Sequence, residues 1–368
     1  MADSPVPDLQ IKSHSGPYTV KFAPLFSGLE GGLKPNEHLI IDERVADLYS
    51  EKLSAVLKDD SVLVLAAVET SKSLEKIPDY VTHLLQHGVR RDYVLIAVGG
   101  GIIQDITAFI AAILLRGISW RFYPTTLLAQ ADSCIGSKTS INVGPYKNQV
   151  GTYTPPNEIL VSTDVLRTLS EVDIRSGIGE MIKSHTVSGW PDLRAIARDY
   201  ERLFSSPEVM THYIQRSLQI KKMKIEIDEF DRNERLVMNY GHTFGHAIES
   251  ATDWAVPHGI AVTIGADMAN YISWHMDLID REAYEELHRL LARNYRGFES
   301  ISVREPEFFA AIGRDKKNVG QHLSLILMRG PGKVFKHQCA NDEVFRARCR
   351  EYFANEFKSK GSEPCRTR

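Results

Sequence analysis

The stretch Tyr93–Asp105, YVLIAVGGGIIQD, decides the fold of the first half of this 368-residue chain. Its apolar run, Tyr93–Val98, is typical of a buried strand, and it leads directly into Gly99–Gly101 and a helix-like segment. A strand that turns through glycines into a helix lets backbone N–H groups approach a pyrophosphate, and the helix dipole favours the negative charge. The pattern indicates nucleotide binding, although the spacing is not G-x-G-x-x-G. A tight turn without a ligand is the alternative.

Strand and helix patterns alternate on both sides of this element. Further strands are predicted at Leu39–Ile41, Val62–Val68 and Trp120–Pro124, and helices at Ala46–Leu57 and Leu74–His87. Strands separated by helices indicate a parallel sheet covered on both faces. We therefore expect a Rossmann-like α/β domain over residues 1–170.

Helical spacing dominates after residue 170. The predicted helices are Val172–Ser188, Pro191–Leu203, Pro207–Asp228, Arg235–Thr252, Ile260–Met276 and Arg281–Tyr295. A hairpin is expected at Leu323–Phe335, where Pro331-Gly332 supplies a turn. We expect a mostly α-helical domain over residues 171–357 and a disordered polar tail over 358–368.

Composition narrows the class of protein. Hydrophobic residues make up 43% and charged residues 25%, as in globular proteins, and 44 basic residues against 47 acidic ones give a net charge of -3. This balance gives no reason to expect a nucleic acid or a membrane as partner. The four cysteines have no C-x-x-C spacing, the N-terminus does not resemble a signal peptide, and the apolar run Ile106–Leu115 is too short for a bilayer. We expect a cytoplasmic protein.

A histidine-rich motif, GHTFGHAIE at Gly241–Glu249, points to a metal. His242 and His246 are four residues apart and share one helix face, and His258 follows, where we expect a loop before the next helix. Glu180 and Lys183 also share a helix face. One carboxylate plus two imidazoles, with a position left for water or substrate, is a catalytic zinc pattern. The alternative is a structural histidine pair.

Basic residues are concentrated in the loop-like segment Pro124–Gly151. Asp132, Lys138, Lys147 and Asn148 lie there among glycines and threonines. Lysines in such a segment suit the phosphate or carboxylate groups of a small anionic substrate, whereas alone they would be read as a solvated loop. Further basic residues recur at Lys221, Arg235, Lys316 and Lys317.

Together these segments resemble the 3-dehydroquinate synthase family, the sugar phosphate cyclases. The resemblance covers roughly residues 39–335 and rests on motifs in the family's order: ETSKS at 69–73, GGGxxxD at 99–105, RG at 116, PTTLLAQADS at 124–133, GSKT at 136–139, KN at 147, GEMIK at 179–183, NxGHTFGHAIE from 239, HG at 258 and DKK at 315–317.

The resemblance implies bound NAD, one divalent metal (Zn²⁺ or Co²⁺), a small anionic sugar phosphate as substrate, and a homodimer. It assigns the metal ligands as Glu180, His242 and His258, and the catalytic residues as Asp132, Lys138, Lys183, Asn239 and His246. NAD contacts would be Asp42, Glu69, Lys72, Gly100, Gly101, Asp105, Thr125, Thr126 and Lys147. Substrate contacts would be Arg116, Asn148, Lys221, Arg235, Lys316 and Lys317, with Arg116 reaching the neighbouring subunit's substrate.

The implied reaction is a cyclisation with loss of phosphate: alcohol oxidation, phosphate elimination, ketone reduction, ring opening and an intramolecular aldol step. 3-Dehydroquinate synthase is the simplest interpretation, since Arg235 with Lys221 would suit a substrate carboxylate. The short Asn142–Lys147 connection, the Ser of GSKT and His258-Gly259-Ile260 depart from typical dehydroquinate synthases, and the first looks more like cyclases of sedoheptulose 7-phosphate. A metal-dependent polyol dehydrogenase and a binding-only homologue remain alternatives.

Overall fold

The computed structural model describes residues 6–144, 146–314, 318 and 322–357. The predicted residues Lys316 and Lys317, and the predicted tail 358–368, lie outside this range. Contacts divide the chain into two units: Met1–Leu169 with Met210–Phe230, and Ser170–Val209 with Asp231–Arg368. The segment Met210–Phe230 thus groups with the sheet-bearing unit, and the functional domain boundaries stay a prediction.

Strands and helices are numbered in chain order. The strands are β1 (Leu9–Ile11), β2 (Tyr18–Phe22), β3 (Glu37–Asp42), β4 (Leu63–Leu65), β5 (Val94–Gly99), β6 (Ser119–Pro124), β7 (Ile141–Val143), β8 (Tyr146–Val150), β9 (Glu158–Val161), β10 (His322–Met328) and β11 (Val334–Ala340). The helices are α1 (Glu43–Leu48), α2 (Ile77–Gln86), α3 (Gly101–Ile113), α4 (Glu171–Ser188), α5 (Trp190–Arg198), α6 (Pro207–Ile227), α7 (His242–Ala251), α8 (His258–His275), α9 (Arg281–Tyr295), α10 (Glu305–Gly313) and α11 (Glu343–Glu351).

The first unit is built on a seven-stranded sheet of order β1-β2-β9-β6-β5-β3-β4. All neighbours pair in parallel except β1 and β2, which are antiparallel. The central strand β5 is buried along nearly its whole length because the sheet is covered on both faces. The predicted α/β fold class is confirmed. The predicted helix Ala46–Leu57 was wrong in extent, since α1 ends at Leu48 and turns follow it.

The strand–glycine element forms as predicted. β5 ends at Gly99 and α3 begins at Gly101. A Cβ on Gly100 would lie 2.9 Å from Thr126 Cγ2, so the backbone can pass there only without a side chain. Thr125 N donates to Gly99 O at 2.9 Å, which joins the ends of β5 and β6 at this turn.

The second unit is mostly helical, as predicted, and α8 is its most buried helix. The predicted hairpin is present as β10 and β11, paired antiparallel from His322–Ala340 to Met328–Val334. The predicted helix Arg235–Thr252 is interrupted: a 3₁₀ segment, Glu234–Asn239, precedes α7, and Gly241 between them adopts φ +79°. In the part of the chain that the structure describes, no helix is long and apolar enough to cross a membrane.

Candidate active site

The second unit brings the three predicted metal ligands together. Glu180 Oε1 lies 3.4 Å from His258 Nε2 and 3.8 Å from His242 Nε2. His258 does not lie in a loop, as the sequence had suggested, but is the first residue of α8. Pro257 precedes it with φ -59°, a torsion that suits the start of a helix.

Glycines explain why α4 and α8 approach closely enough for this contact. A Cβ on Gly179 would lie 2.1 Å from Gly259 O, and a Cβ on Gly259 would lie 1.7 Å from Ser176 O. Real side chains do not approach backbone oxygens so closely, so both positions require glycine. Because Gly179 precedes Glu180 and Gly259 follows His258, the close approach sets the carboxylate beside the imidazole.

Hydrogen bonds orient the ligand atoms. Lys183 Nζ donates to Glu180 Oε2 at 2.5 Å, whereas Oε1 of the same carboxylate is buried and accepts no hydrogen bond among the described residues. His242 Nδ1 lies 3.3 Å from Tyr240 O, and His258 Nδ1 lies 3.1 Å from Glu249 Oε1. Each histidine thus has a partner for one ring nitrogen and presents the other to Glu180, the arrangement that supports metal-ligating imidazoles.

The electrostatics of the cluster suit a cation. Burial lowers the pKa of His242 well below its usual value, so its imidazole is neutral, as a metal ligand must be. Although burial opposes ionisation of Glu180, Lys183 and the two histidines hold its pKa well below the ordinary value. A buried anionic oxygen without a hydrogen bond, facing imidazole nitrogens, is a fitting donor set for Zn²⁺ or Co²⁺.

His246 joins this cluster. Nitrogens of His242, His246 and His258 lie within 4.8 Å of one another, and the His246 ring centre is 5.4 Å from that of His242. The predicted pairing of His242 and His246 on one helix face is therefore seen on α7. Two sets of three candidate ligands therefore exist. One consists of His242, His258 and Glu180, and the other of His242, His258 and His246.

The remaining predicted residues of the second unit are placed as follows. Arg235 lies in the 3₁₀ segment and is only 6% exposed. Asn239 ends that segment and donates through Nδ2 to Leu236 O at 3.2 Å. The sequence analysis assigned no role to Glu249, although it closes the quoted GHTFGHAIE motif and its position about two turns after His242 on α7 could have indicated a second carboxylate.

In the first unit, a polar cluster forms around Lys72. Its Nζ lies 3.0 Å from Asp105 Oδ2, 2.9 Å from Asn148 Oδ1 and 3.7 Å from Glu69 Oε1. Lys147 Nζ reaches Glu69 Oε2 at 3.9 Å. Burial raises the pKa of Asp105 to about 6 despite the neighbouring ammonium. The structure thus gathers four predicted NAD contacts and brings Asn148, predicted to bind substrate, into the same cluster.

Asn142 organises this cluster and was missed by the sequence analysis. Its Nδ2 donates to Glu69 Oε1 at 2.8 Å, and its Oδ1 accepts from the backbone N–H of Asn148 at 2.9 Å. Asn148 adopts φ +57°, a left-handed conformation that this contact supports. Only the short β7–β8 connection carried a signal in the sequence.

The other predicted residues of the first unit lie on separate elements. Asp42 caps α1 by accepting from Arg44 N, and Thr126 Oγ1 accepts from Ala129 N at 3.2 Å. Asp132 pairs with the buried Lys221 of α6 at 3.3 Å. Lys138 is exposed and forms a β-bridge with Tyr153, and the exposed Arg116 itself adopts a left-handed conformation with φ +67°.

Comparisons with known proteins identify the family of the chain. Residues 62–176 match the 3-dehydroquinate synthase N-terminal family and residues 177–318 match the 3-dehydroquinate synthase C-terminal family. The chain belongs to the 3-dehydroquinate synthase family. A 3-dehydroquinate synthase of Thermoanaerobacter pseudethanolicus is 34% identical over 314 residues, 84% of this chain and 88% of that protein. The predicted family is confirmed.

Solved structures support the fold of this family member. A 2-deoxy-scyllo-inosose synthase crystallised with carbaglucose-6-phosphate, NAD⁺ and Co²⁺ aligns with a TM-score of 0.80 at 22% identity, over 94% of this chain and 99% of that one. A 2-epi-5-epi-valiolone synthase from Streptomyces hygroscopicus subsp. jinggangensis, with NAD⁺ and Zn²⁺ bound, aligns at 0.77 and 24% identity, over 92% and 96%. The ligands in these proteins match the cofactors predicted from the sequence.

Proposed function

We propose that this family member is an NAD- and metal-dependent sugar phosphate cyclase, a phosphate-eliminating carbon–oxygen lyase, and most simply a 3-dehydroquinate synthase. The observation that carries the proposal is the buried Glu180 oxygen that faces two imidazole nitrogens. A binding-only homologue has no need to keep a charged carboxylate buried beside such a donor set, because burying it costs free energy.

Residues of the second unit would hold the metal and the reacting end of the substrate. Glu180, His242 and His258 would be the ligands, with Glu249 fixing the orientation of His258. Lys183, paired with Glu180, would donate a hydrogen bond to a substrate oxygen close to the ligands. His246 and Asn239 would hold the phosphate that leaves, and His246 would exchange a proton with it.

Residues of the first unit would hold the dinucleotide and further anionic groups. Gly100 and Gly101 leave room for the pyrophosphate at the start of α3, while Asp42, Glu69, Lys72, Asp105, Thr125, Thr126 and Lys147 would line its site. Lys138 supplies an exposed ammonium for the substrate. When bound, NAD⁺ would accept and return one hydride and the metal would polarise the alcohol that is oxidised. Net redox is therefore zero.

The basic residues favour a cyclase over a polyol dehydrogenase. The fold alone does not separate the two, because an iron-containing alcohol dehydrogenase also aligns, with a TM-score of 0.56 at 14% identity. A phosphorylated and carboxylated sugar would suit the buried cations Lys183, Lys221 and Arg235, whereas an uncharged polyol would make no charge-assisted hydrogen bond between opposite charges with them. We further propose a homodimer in which Arg116 reaches the neighbouring subunit's substrate, since its side chain is exposed.

One observation supports sedoheptulose 7-phosphate as a second candidate substrate. The β7–β8 connection is short, Val143 to Tyr146, which resembles cyclases of sedoheptulose 7-phosphate. That sugar has no carboxylate, whereas the buried cation Arg235 is suited to charge-assisted hydrogen bonds with a carboxylated substrate. We therefore place 3-deoxy-arabino-heptulosonate 7-phosphate first.

The test is phosphate release by protein loaded with NAD⁺ and Zn²⁺ or Co²⁺, given each sugar phosphate separately. Release from 3-deoxy-arabino-heptulosonate 7-phosphate, without accumulation of NADH absorbance, is expected. Release from sedoheptulose 7-phosphate alone would replace the proposed substrate. Stoichiometric NADH with glycerol or another polyol, and no phosphate release, would refute the cyclase. Sedimentation of the protein tests the homodimer.

A further inference from the structure

The turn that carries Lys138 has an unusual backbone. Gly136 and Ser137 both have positive φ, +111° and +57°, and Lys138 N donates back to Gly136 O at 2.7 Å. Glycine adopts such torsions readily, whereas serine does so only where surrounding contacts stabilise the conformation. A contact from outside the turn must therefore stabilise the conformation of Ser137, and this contact also fixes the direction of the Lys138 side chain.

Glu229, just beyond the end of α6, makes this contact. Ser137 Oγ donates to Glu229 Oε1 at 2.8 Å. The neighbouring Phe230 O accepts from Tyr153 OH at 3.0 Å, and Tyr153 is the bridge partner of Lys138. The two segments joined by the Lys138–Tyr153 bridge are thus attached to two adjacent residues after α6, one to Glu229 and the other to Phe230.

The same carboxylate also receives the N-terminal segment. Ser13 Oγ donates to Oε1 at 2.6 Å and His14 N donates to Oε2 at 2.8 Å, while His14 Nδ1 lies 3.0 Å from Oε1. The Glu229 side chain is 11% exposed. Burial alone would raise the pKa of Glu229, but these hydrogen bonds lower it, so the group is an ionised acceptor at neutral pH.

We infer that Glu229 is a positioning residue for the reaction: it holds Ser137 in its left-handed conformation and thereby directs the Lys138 ammonium toward the anionic substrate. The inference rests on the proposed function for the role of Lys138. It assigns to Glu229 no contact with substrate. An ionised carboxylate that accepts from two segments, residues 13–14 and Ser137, fixes the turn more firmly than one neutral hydrogen bond would.

The experiment compares Glu229→Ala, Glu229→Gln, Ser137→Ala and the double variant Glu229→Ala/Ser137→Ala with wild-type protein. Glu226→Ala is the matched control, because Glu226 lies in the last turn of the same helix and accepts from Lys12 N at 2.9 Å. One readout is independent of activity: the initial rate of tryptic cleavage after the exposed Lys138, followed by mass spectrometry. The other is phosphate release from 3-deoxy-arabino-heptulosonate 7-phosphate.

For Glu229→Ala we expect cleavage after Lys138 to accelerate about tenfold and KM to rise about tenfold, with a smaller fall in kcat. Glu229→Gln should stay within about threefold of wild type because its amide oxygen still accepts from Ser137. The double variant should show the same cleavage rate and KM as Glu229→Ala, because both substitutions remove the same Ser137–Glu229 hydrogen bond. Glu226→Ala should match wild type in both quantities.

Three outcomes overturn the inference: unchanged cleavage and unchanged KM in Glu229→Ala, additive effects in the double variant, or an equal effect of Glu226→Ala. Failure of the proposed function looks different. In that case wild-type protein would release no phosphate from either sugar phosphate, while accelerated cleavage in Glu229→Ala alone would still show that Glu229 holds the turn.

Discussion

Glu249 Oε1 lies 3.1 Å from His258 Nδ1, on the opposite side of the ring from Glu180 Oε1, which lies 3.4 Å from Nε2. The imidazole is therefore held between two carboxylates. Burial works against its protonation, but the contacts of the ring with the carboxylates of Glu180 and Glu249 raise the pKa of His258 to about 10, so a metal must displace the Nε2 proton when it binds. A ring held in this way has one nitrogen oriented toward the proposed metal position.

Replacing Glu249 by alanine should weaken metal binding without removing a ligand. Loss of a carboxylate behind a ligating histidine typically costs 10- to 100-fold in affinity, so we expect a zinc affinity lower by about that factor. Competition with a chromophoric chelator measures it. Asp253→Ala is the control, because Asp253 is exposed and pairs with Arg304. Equal zinc affinities for the two variants would contradict the assigned role of Glu249.

His242→Ala should abolish both stoichiometric metal binding and phosphate release while leaving the fold in place. The residue is the first of α7, and alanine is a good helix former, so the helix should be retained. Metal content by elemental analysis and far-ultraviolet circular dichroism measure the two effects. His322→Ala, on the exposed start of β10, serves as the control. Full activity in metal-free His242→Ala would refute the ligand assignment.

The sequence predicted elements best where periodicity was strong and uninterrupted. Strand β5 and the glycine turn, helix α9 and the hairpin β10–β11 were all predicted within a few residues. The short strands β1, β2 and β9 were not predicted, because three to five residues carry little periodicity. Their pairing depends on residues distant in the chain.

The candidate site was predicted less completely because tertiary contacts, rather than local sequence patterns, bring its residues together. His258 was expected in a loop before a helix at Ile260, yet α8 begins at His258 itself and Gly259 is there to admit Ser176 O. The contacts of Glu249, Asn142 and Glu229 join segments far apart in sequence or use ordinary residue types, so no local pattern marks them.

Gly259→Ala should disrupt the metal site through the backbone. The new Cβ would lie 1.7 Å from Ser176 O, so α4 and α8 must separate and carry Glu180 away from His258. Overpacking of this kind destabilises by about 1–3 kcal/mol, and zinc affinity should fall as well. Thermal unfolding and zinc titration measure both. Gly313→Ala, with nothing closer than 3.9 Å, should leave both unchanged, and a similar loss there would contradict the argument.

Asp105 should give the protein a pH-dependent stability with an unusual sign. Burial raises the pKa of Asp105 to about 6 in the folded protein, against an ordinary value of 3.8 in an unfolded chain, so the folded state binds the proton more readily. The contribution of Asp105 therefore becomes more favourable as the pH falls from 7 to 4, by up to about 3 kcal/mol, and then levels off.

The measurement is the difference in thermal stability between wild-type protein and Asp105→Asn across that pH window. We expect the stability of wild type relative to Asp105→Asn to increase as the pH falls, because asparagine cannot take up the proton. Other carboxylates titrate equally in both proteins and cancel in the difference. A difference that is flat, or that moves the other way, would mean that Lys72 keeps Asp105 fully ionised throughout.

Arg235→Leu tests the nature of the substrate. Arg235 as a whole is only 6% exposed, so a substrate carboxylate that meets its guanidinium is largely desolvated, and removing the cation should cost about 2–5 kcal/mol in kcat/KM for 3-deoxy-arabino-heptulosonate 7-phosphate. Arg202→Leu, at an exposed ion pair with Asp199, is the control. Because sedoheptulose 7-phosphate lacks the carboxylate, its turnover should be affected much less. A loss that is equal for both sugars would show that Arg235 supports the fold or binds a group the two substrates share, and the argument for a carboxylated substrate would fall with it.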